Sequence, residues 1–432
     1  MKSLDKLKQH NEHFHKSLQE VSDGVWIAIG YAVSNVSVVR TTLGLVVVDT
    51  TESTAAAANI LAALRNVTDE KVAAIIYTHG HRDHVGGASV FAKEAIPEGV
   101  RIYARENLKN ELAHSVSTSS PDEILRKRAT RQFGMPLAVG TERINLGIGP
   151  ADRPIGGLGE GFLTPTDTFS DEFFELEIGG RVFHLMAAPG ETMDQMMVWM
   201  PAEKIVFAAD NFYHSFPNLY AIRGTMYRDF EVWANTLDKM QSLRAHLMLT
   251  GHGQPVVGEK QVAQCLGDYR DAIRFIVKQS VIGMNRGMTP DELVAFVTLP
   301  EPLKSRPYLQ EFYGTVQWSV RAFYSGKMGW FDGNPTHLFP LSEKQQSERL
   351  LELMGAVNVL AELDRAMQEE EYQWALHLTD WLLHNQDAVA VKAIRIQALR
   401  KIADQQMNAP ARNYYLTCAY ELKQSISDSK DV

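Results

Sequence analysis

Between residues 24 and 49 apolar and polar positions alternate in short runs, so Val25-Trp26-Ile27-Ala28-Ile29 and Leu45-Val46-Val47-Val48 read as strands, with Gly44 marking a turn. Residues 51–67 change period to an alanine-rich helical pattern, and the apolar run Val72-Ala73-Ala74-Ile75-Ile76-Tyr77 that follows reads as a buried strand. Strand, helix, strand in that order predicts a βα layer. A second unit follows over residues 173–186, where two strands are joined through Gly179-Gly180. Met196-Met197-Val198-Trp199-Met200 and Lys204-Ile205-Val206-Phe207-Ala208 continue its meander. From about residue 261 strand patterns stop. Residues 347–368, 371–384 and 387–408 read as consecutive amphipathic helices rich in Ala, Leu, Glu and Lys. They pair like tetratricopeptide-type hairpins without a strict repeat.

The 432 residues are too many for one ordinary core and predict two or three domains. With Lys plus Arg at 43 against Asp plus Glu at 52, the net charge of −9 argues against a nucleic-acid partner. No apolar stretch follows the basic start Met1-Lys2 as a secretory signal requires, and none approaches a membrane span, so a cytoplasmic location is expected. Cys265 and Cys418 are too few and too far apart for a disulfide framework and read as small buried hydrophobes.

Candidate chemistry enters directly after the buried strand, at Thr78-His79-Gly80-His81-Arg82-Asp83-His84. Neutral imidazoles and carboxylates are the donors that suit zinc, and a tight loop leaving a strand can aim four of them at two adjacent ions. Surface histidines in a polar turn are the competing reading. Residues 113–161 lose periodicity, and Gly156-Gly157-Leu158-Gly159-Glu160-Gly161 lacks the strand-to-helix setting of a dinucleotide fingerprint. That loop is expected to be a flexible wall or lid near the site, or simply a permissive turn.

The histidine string resembles that of the metallo-β-lactamase superfamily. The blocks Ala188-Pro189-Gly190-Glu191-Thr192, Ala208-Ala209-Asp210-Asn211, Asn218-Leu219-Tyr220-Ala221-Ile222-Arg223-Gly224 and Gly329-Trp330-Phe331-Asp332-Gly333-Asn334-Pro335 narrow the likeness to its zinc alkylsulfatases, over about residues 21–422. The resemblance implies an α+β fold: an αββα sandwich over residues 1–258, then an all-α dimerisation domain over 259–432 that makes a homodimer. Members of that family usually continue into a sterol-carrier-like domain for which this chain leaves no room, so a collector for long alkyl chains is expected to be missing.

The same resemblance implies two zinc ions per chain. His79, His81 and Glu191 hold one, Asp83, His84 and His252 the other, and Asp210 occupies the bridging position, where alkylsulfatases carry glutamate. A solvent hydroxide shared by two such ions is the expected nucleophile, since metal lowers the pKa of bound water to roughly neutral. Asp83 and Asp210 are therefore the expected catalytic carboxylates. Asp49 matches a position that supports a ligand histidine, with a helix N-cap as the competing role. His214 matches a histidine near the site. Asn218 and Arg223 match sulfate-binding positions, a forked guanidinium being suited to a tetrahedral anion. Arg228 is expected in a salt bridge with Asp229 or another acid.

Two departures bear on the substrate. Trp318 and Pro217 replace histidines of the family, and an indole cannot protonate a leaving alkoxide, so Tyr313 or metal-bound water is the expected donor. The expected function is zinc-dependent hydrolysis of a small or medium anionic ester, a sulfate ester first. The alternatives are a carboxylic ester, lactone, β-lactam or phosphodiester hydrolase of the same fold, and a non-catalytic helical interaction protein.

Overall fold

The computed structural model describes residues 2–108, 121–385 and 388–428. The first sheet holds β1 (Ser17–Ser22), β2 (Val25–Ile29), β3 (Val36–Arg40), β4 (Leu45–Val48), β5 (Val72–Ile76), β6 (Arg101–Arg105) and β7 (Asp167–Phe169), side by side in chain order. It is antiparallel from β1 to β4 and parallel from β4 to β7. The second sheet holds β8 (Phe173–Ile178), β9 (Arg181–Ala187), β10 (Met196–Met200), β11 (Ile205–Ala209), β12 (Leu247–Thr250) and β13 (Val256–Val257). Its order is β13-β12-β11-β10-β9-β8, with β11 and β12 parallel.

Alternation along each strand builds three layers of core. Val25, Ile27, Val46 and Val48 meet Leu185, Val198, Phe207 and Leu249 between the sheets. Their neighbours Trp26, Val38 and Val47 turn outward against Ile60, Leu64 and Phe91 of the helices Thr54–Leu64 and Ala88–Ala92. Because both faces are covered, these strands are apolar throughout rather than half polar. Met197, Val206 and Met248 cover the opposite outer face with Trp233, Leu266, Ile273, Leu293 and Phe323. The result is an αββα sandwich.

A separate apolar cluster, with Val359, Leu363, Leu376, Leu382, Leu399 and Ile402 in it, joins the C-terminal helices Glu343–Met354, Ala356–Gln368, Tyr372–Asn385, Val389–Asp404 and Ala409–Asp428. The expected division at 258/259 falls at the start of the helix Glu259–Asn285, whose buried face is part of the sandwich core. The helices Pro290–Phe296 and Val316–Met328 pack there too, because the second sheet's apolar outer face needs a cover. Loss of strand patterning marked the end of the sheets, not the end of the sandwich.

The helix expected over 347–368 is two helices, parted at Gly355 in a left-handed conformation with φ 76°. Asp387, where the third of these helices was expected to begin, lies outside the described residues, as does the first part of 113–161. The rest of that aperiodic stretch contains the helix Asp122–Gln132, which buries Gln132 and so shows no apolar stripe. No helix among the described residues is long and apolar enough to cross a membrane.

Candidate metal centre and anion pocket

Parallel strands deliver the donors. β5 runs into the histidine loop, β11 ends one residue before Asp210, β12 ends two before His252, and β4 ends immediately before Asp49. Ala209 and Asp49 both take left-handed backbone, φ 48° and 59°, turning the chain sharply where it leaves the sheet. Two groups of possible metal ligands result: His79, His81 and Asp210, and Asp83, His84 and His252, with the ligand atoms of each group within 4.8 Å of one another. Asp210 faces both. Its Oδ2 lies 3.6 Å from His79 Nε2 and 4.0 Å from His81 Nδ1, while Oδ1 lies 3.2 Å from the Nε2 atoms of both His84 and His252. Asp83 Oδ2 stands 3.5 Å and 3.6 Å from the same two nitrogens.

The ring orientations are fixed from behind. Thr78 Oγ1 donates to Asp49 Oδ2 at 2.8 Å and sits 3.0 Å from His79 Nδ1. A hydroxyl has one proton, so His79 Nδ1–H is the donor and its Nε2 carries the lone pair. Asp49 Oδ2 also takes His84 Nδ1–H at 2.7 Å, and Oδ1 accepts the Thr78 amide at 2.8 Å. Ser53, not Asp49, caps the helix that follows. His252 Nδ1–H donates to Val33 O at 2.8 Å. Val33 N in turn donates to Glu52, which is buried in an ion pair with Arg153 at 2.6 Å.

This donor set fits divalent metal. His84 Nε2, His252 Nε2 and Asp210 Oδ1 are buried without a well-directed hydrogen bond among the described residues, an arrangement normally too costly unless a cation completes it. Burial opposes charge on His84 and His252, yet the surrounding carboxylates, Asp210 first, raise both pKa values. Burial pushes His79 well below its usual value, with His84 adding to the shift. The pocket thus holds anionic oxygens that draw positive charge.

Glu191, the expected third ligand with His79 and His81, belongs to neither group. Its Oε1 is ion-paired with Arg228 at 2.8 Å, and Oε2 meets Tyr213 Oη at 3.5 Å. Arg228 is thus bound to Glu191 and to the Asn218 carbonyl, while Asp229 caps the helix Phe230–Ser242. Asn218 is buried, and its amide N–H donates to Tyr213 Oη at 2.7 Å. In the orientation that satisfies its neighbours, its side chain donates to Tyr220 O at 2.9 Å and accepts from Arg228 at 3.3 Å. His214 has its Nε2 2.8 Å from Gln254 O, its ring stacks on His13 at 4.4 Å, and burial depresses its pKa to about 4.

Arg223 has a buried Nη1 without a hydrogen-bond partner among the described residues. Burial works against its charge, but Tyr313, Glu191 and Asp83 more than offset this and keep the guanidinium charged. Tyr313 is buried, and burial pushes its phenol up to about 12 against the opposing pull of Arg223, so it is protonated at neutral pH. Gln132 joins the two, accepting from Arg223 N–H at 3.0 Å and donating to Tyr313 Oη at 3.4 Å. Tyr213 and Gln132 were not foreseen. Tyr213 stands three residues after Asp210 and was findable; Gln132 comes from the aperiodic stretch and carried no signal. The glycine-dense loop is tied down by the Gly159 and Gly161 amides, which donate to Glu52 O at 2.8 Å and Gly86 O at 3.0 Å.

A family model described as metallo-beta-lactamase superfamily matches residues 29–252, and one described as alkyl sulfatase dimerisation matches 289–425. A linear primary-alkylsulfatase from Pseudomonas sp. is 37% identical over 387 residues, covering 88% of this chain and 72% of the relative. The chain belongs to the alkylsulfatase branch of the metallo-β-lactamase superfamily. That membership makes it a hydrolase of the metallo-β-lactamase fold. An alkyl/aryl-sulfatase from Saccharomyces cerevisiae is 28% identical, covering 95% of this chain and 64% of the relative. The solved structure of a stereoselective inverting sec-alkylsulfatase from Pseudomonas sp. superposes with a TM-score of 0.86 at 26% identity, covering 97% of this chain and 67% of that one. The matched dimerisation segment begins with two helices that here complete the sandwich.

Proposed function

We propose that this alkylsulfatase-family protein is a binuclear zinc hydrolase of small alkyl sulfate esters. The observation that carries the reading is Asp210, which presents one oxygen to each group of donors, beside an Arg223 whose buried Nη1 has no hydrogen-bond partner among the described residues. His79, His81 and Asp210 would hold one ion, and Asp83, His84, His252 and Asp210 the other. Glu191 would join the first group through Oε2, the oxygen that meets Tyr213 Oη at 3.5 Å, while Oε1 keeps its ion pair with Arg228. Zinc supplies activation of water at neutral pH and charge to offset that of the ester.

The remaining work falls to the chain. Asp49, Thr78 and Val33 hold the imidazoles with their lone pairs inward. Arg223 binds the sulfate oxygens through its free Nη1, and Tyr313, protonated at neutral pH, donates to the leaving oxygen where Trp318 cannot. In a second reading Arg223 grips a separate carboxylate carried by a carboxylic ester or lactone substrate, with Tyr313 again the proton donor. Inorganic sulfate release from decyl sulfate by the zinc-loaded protein, run beside a lactone, a β-lactam and a phosphodiester, tests the choice. Lactone turnover without sulfate release would replace the first reading by the second.

We propose a homodimer through the helical unit. Trp330 (73% exposed), Phe339 (95%), Leu353 (84%) and Val357 (79%) expose apolar side chains at and before that unit, within the matched dimerisation segment. Sedimentation as a monomer at micromolar concentration would overturn this.

A further inference from the structure

We propose that the C-terminal helical unit is also a positioning element of the active site, acting through Asn408 and Gln132 on the two residues of the anion pocket, Tyr313 and Arg223. The inference rests on the reading of that pocket given above. Asn408 is buried in the turn between the helices Val389–Asp404 and Ala409–Asp428. Its Nδ2 donates to Glu311 O and to Tyr313 O, both at 2.9 Å, while its Oδ1 accepts from Ala411 N at 2.9 Å and so starts the last helix. Ala409 N donates to Phe312 O between them at 2.9 Å. Three consecutive carbonyls are thus held by one turn of the helical unit.

The Tyr313 backbone is closed on its other side, its N–H donating to Ser215 Oγ at 2.8 Å. At the far end of the ring, Gln132 ties the phenol to the Arg223 backbone. Arg131, the residue before it, forks onto Glu421 in the last helix, with Nε 3.1 Å from each carboxylate oxygen. The circuit leaves the helical unit at Asn408, passes through Tyr313 and Gln132, and returns to the unit at Glu421. Packing alone would be met by the apolar contacts of Leu137, Ala403 and Leu416 and of Ile144, Phe312 and Ala409. Buried directional bonds ending on Tyr313 and Arg223 do something more: they set where a phenol and a guanidinium stand relative to the metal donors, and small displacements of such groups are costly to reaction.

Asn408→Ser tests the idea, since serine keeps the helix cap but is too short to reach the two carbonyls. Gln132→Leu cuts the other end at similar volume and carries the test alone should the first variant fail to fold. In the full-length zinc-loaded protein, decanesulfonate affinity and KM for decyl sulfate should weaken by roughly tenfold, and kcat for decyl sulfate should fall as the Tyr313 donor is displaced. Zinc content should stay unchanged. A loss of activity that tracks the melting temperature and leaves decanesulfonate affinity unchanged would make both residues merely structural and overturn the proposal. If instead Arg223→Ala itself leaves anion affinity intact, it is the reading of the pocket that fails.

Discussion

The candidate metal donors and the proposed anion pocket lie side by side yet are built in opposite ways. The donors in the two groups stand just beyond strand ends or, for Asp83 and His84, on the one-turn helix Arg82–Val85 that follows β5, and Asp49, Thr78 and Val33 of the same sandwich orient His84, His79 and His252. The anion pocket takes Gln132 from a helix without an apolar stripe, Arg223 and Tyr313 from loops, and its backing from the C-terminal helices. The first is rigid because two sheets are rigid; the second is held by hydrogen bonds between distant segments. One consequence is that metal retention and anion selectivity should fail separately.

The largest effect should come from the point where the two donor groups meet. Asp210→Ala removes an oxygen from each group and leaves His84 and His252 facing an unbalanced pocket, so zinc should be lost and turnover should fall by ~10³-fold or more. Metal analysis beside circular dichroism checks this; a folded variant that keeps two ions and its rate would break the comparison at its first term. Asp49→Ala replaces no proposed ligand but frees His84 and Thr78 together, and zinc affinity should fall by about 10- to 100-fold. A competition titration with a chelator reads that out, and anion selectivity measured at saturating zinc should not move.

This asymmetry also decides what the sequence could reveal. The histidine string after an apolar run could be read because one strand carries four candidate ligands within six residues, and Asp210 and His252 each follow an apolar strand that points to the same edge. Arg223 was reachable through the resemblance of its block. Gln132 and Asn408 were not, because an amide that bonds a distant backbone has no periodicity, spacing or charge to announce it. The sheets were readable from short apolar runs, whereas the sandwich's last cover, Glu259–Asn285, looked like the start of a helical domain because amphipathicity does not say which surface a helix covers.

The smallest effect concerns the wall behind the pocket. His10 is buried, stacks on Phe312 at 4.0 Å and donates to Gly147 O at 2.8 Å, and burial depresses its pKa to about 3. A depressed folded-state value means the unfolded chain binds the proton more readily. The contribution of neutral His10 is therefore complete above about pH 6.5 and is lost progressively as pH falls toward 3. Hydrogen exchange of residues 3–14 should accelerate between pH 7 and pH 5 on the scale of pH-corrected rates. His10→Gln, which keeps a donor without the titration, should flatten that dependence; an equal slope in both proteins would assign it elsewhere.

The claim that metal binding and anion recognition are separable is tested most directly on Arg223→Ala, with zinc content and kcat/KM for one anionic and one neutral ester measured on the same preparation. Loss of a hydrogen bond to a charged group should cost the anionic ester ~1.5 to 3 kcal/mol, while the neutral ester is nearly unaffected and zinc stays at the wild-type level. Arg223→Lys should recover part of the loss, since it restores the charge without the fork. An equal fall on both esters, or a loss of zinc together with the anionic activity, would contradict the account.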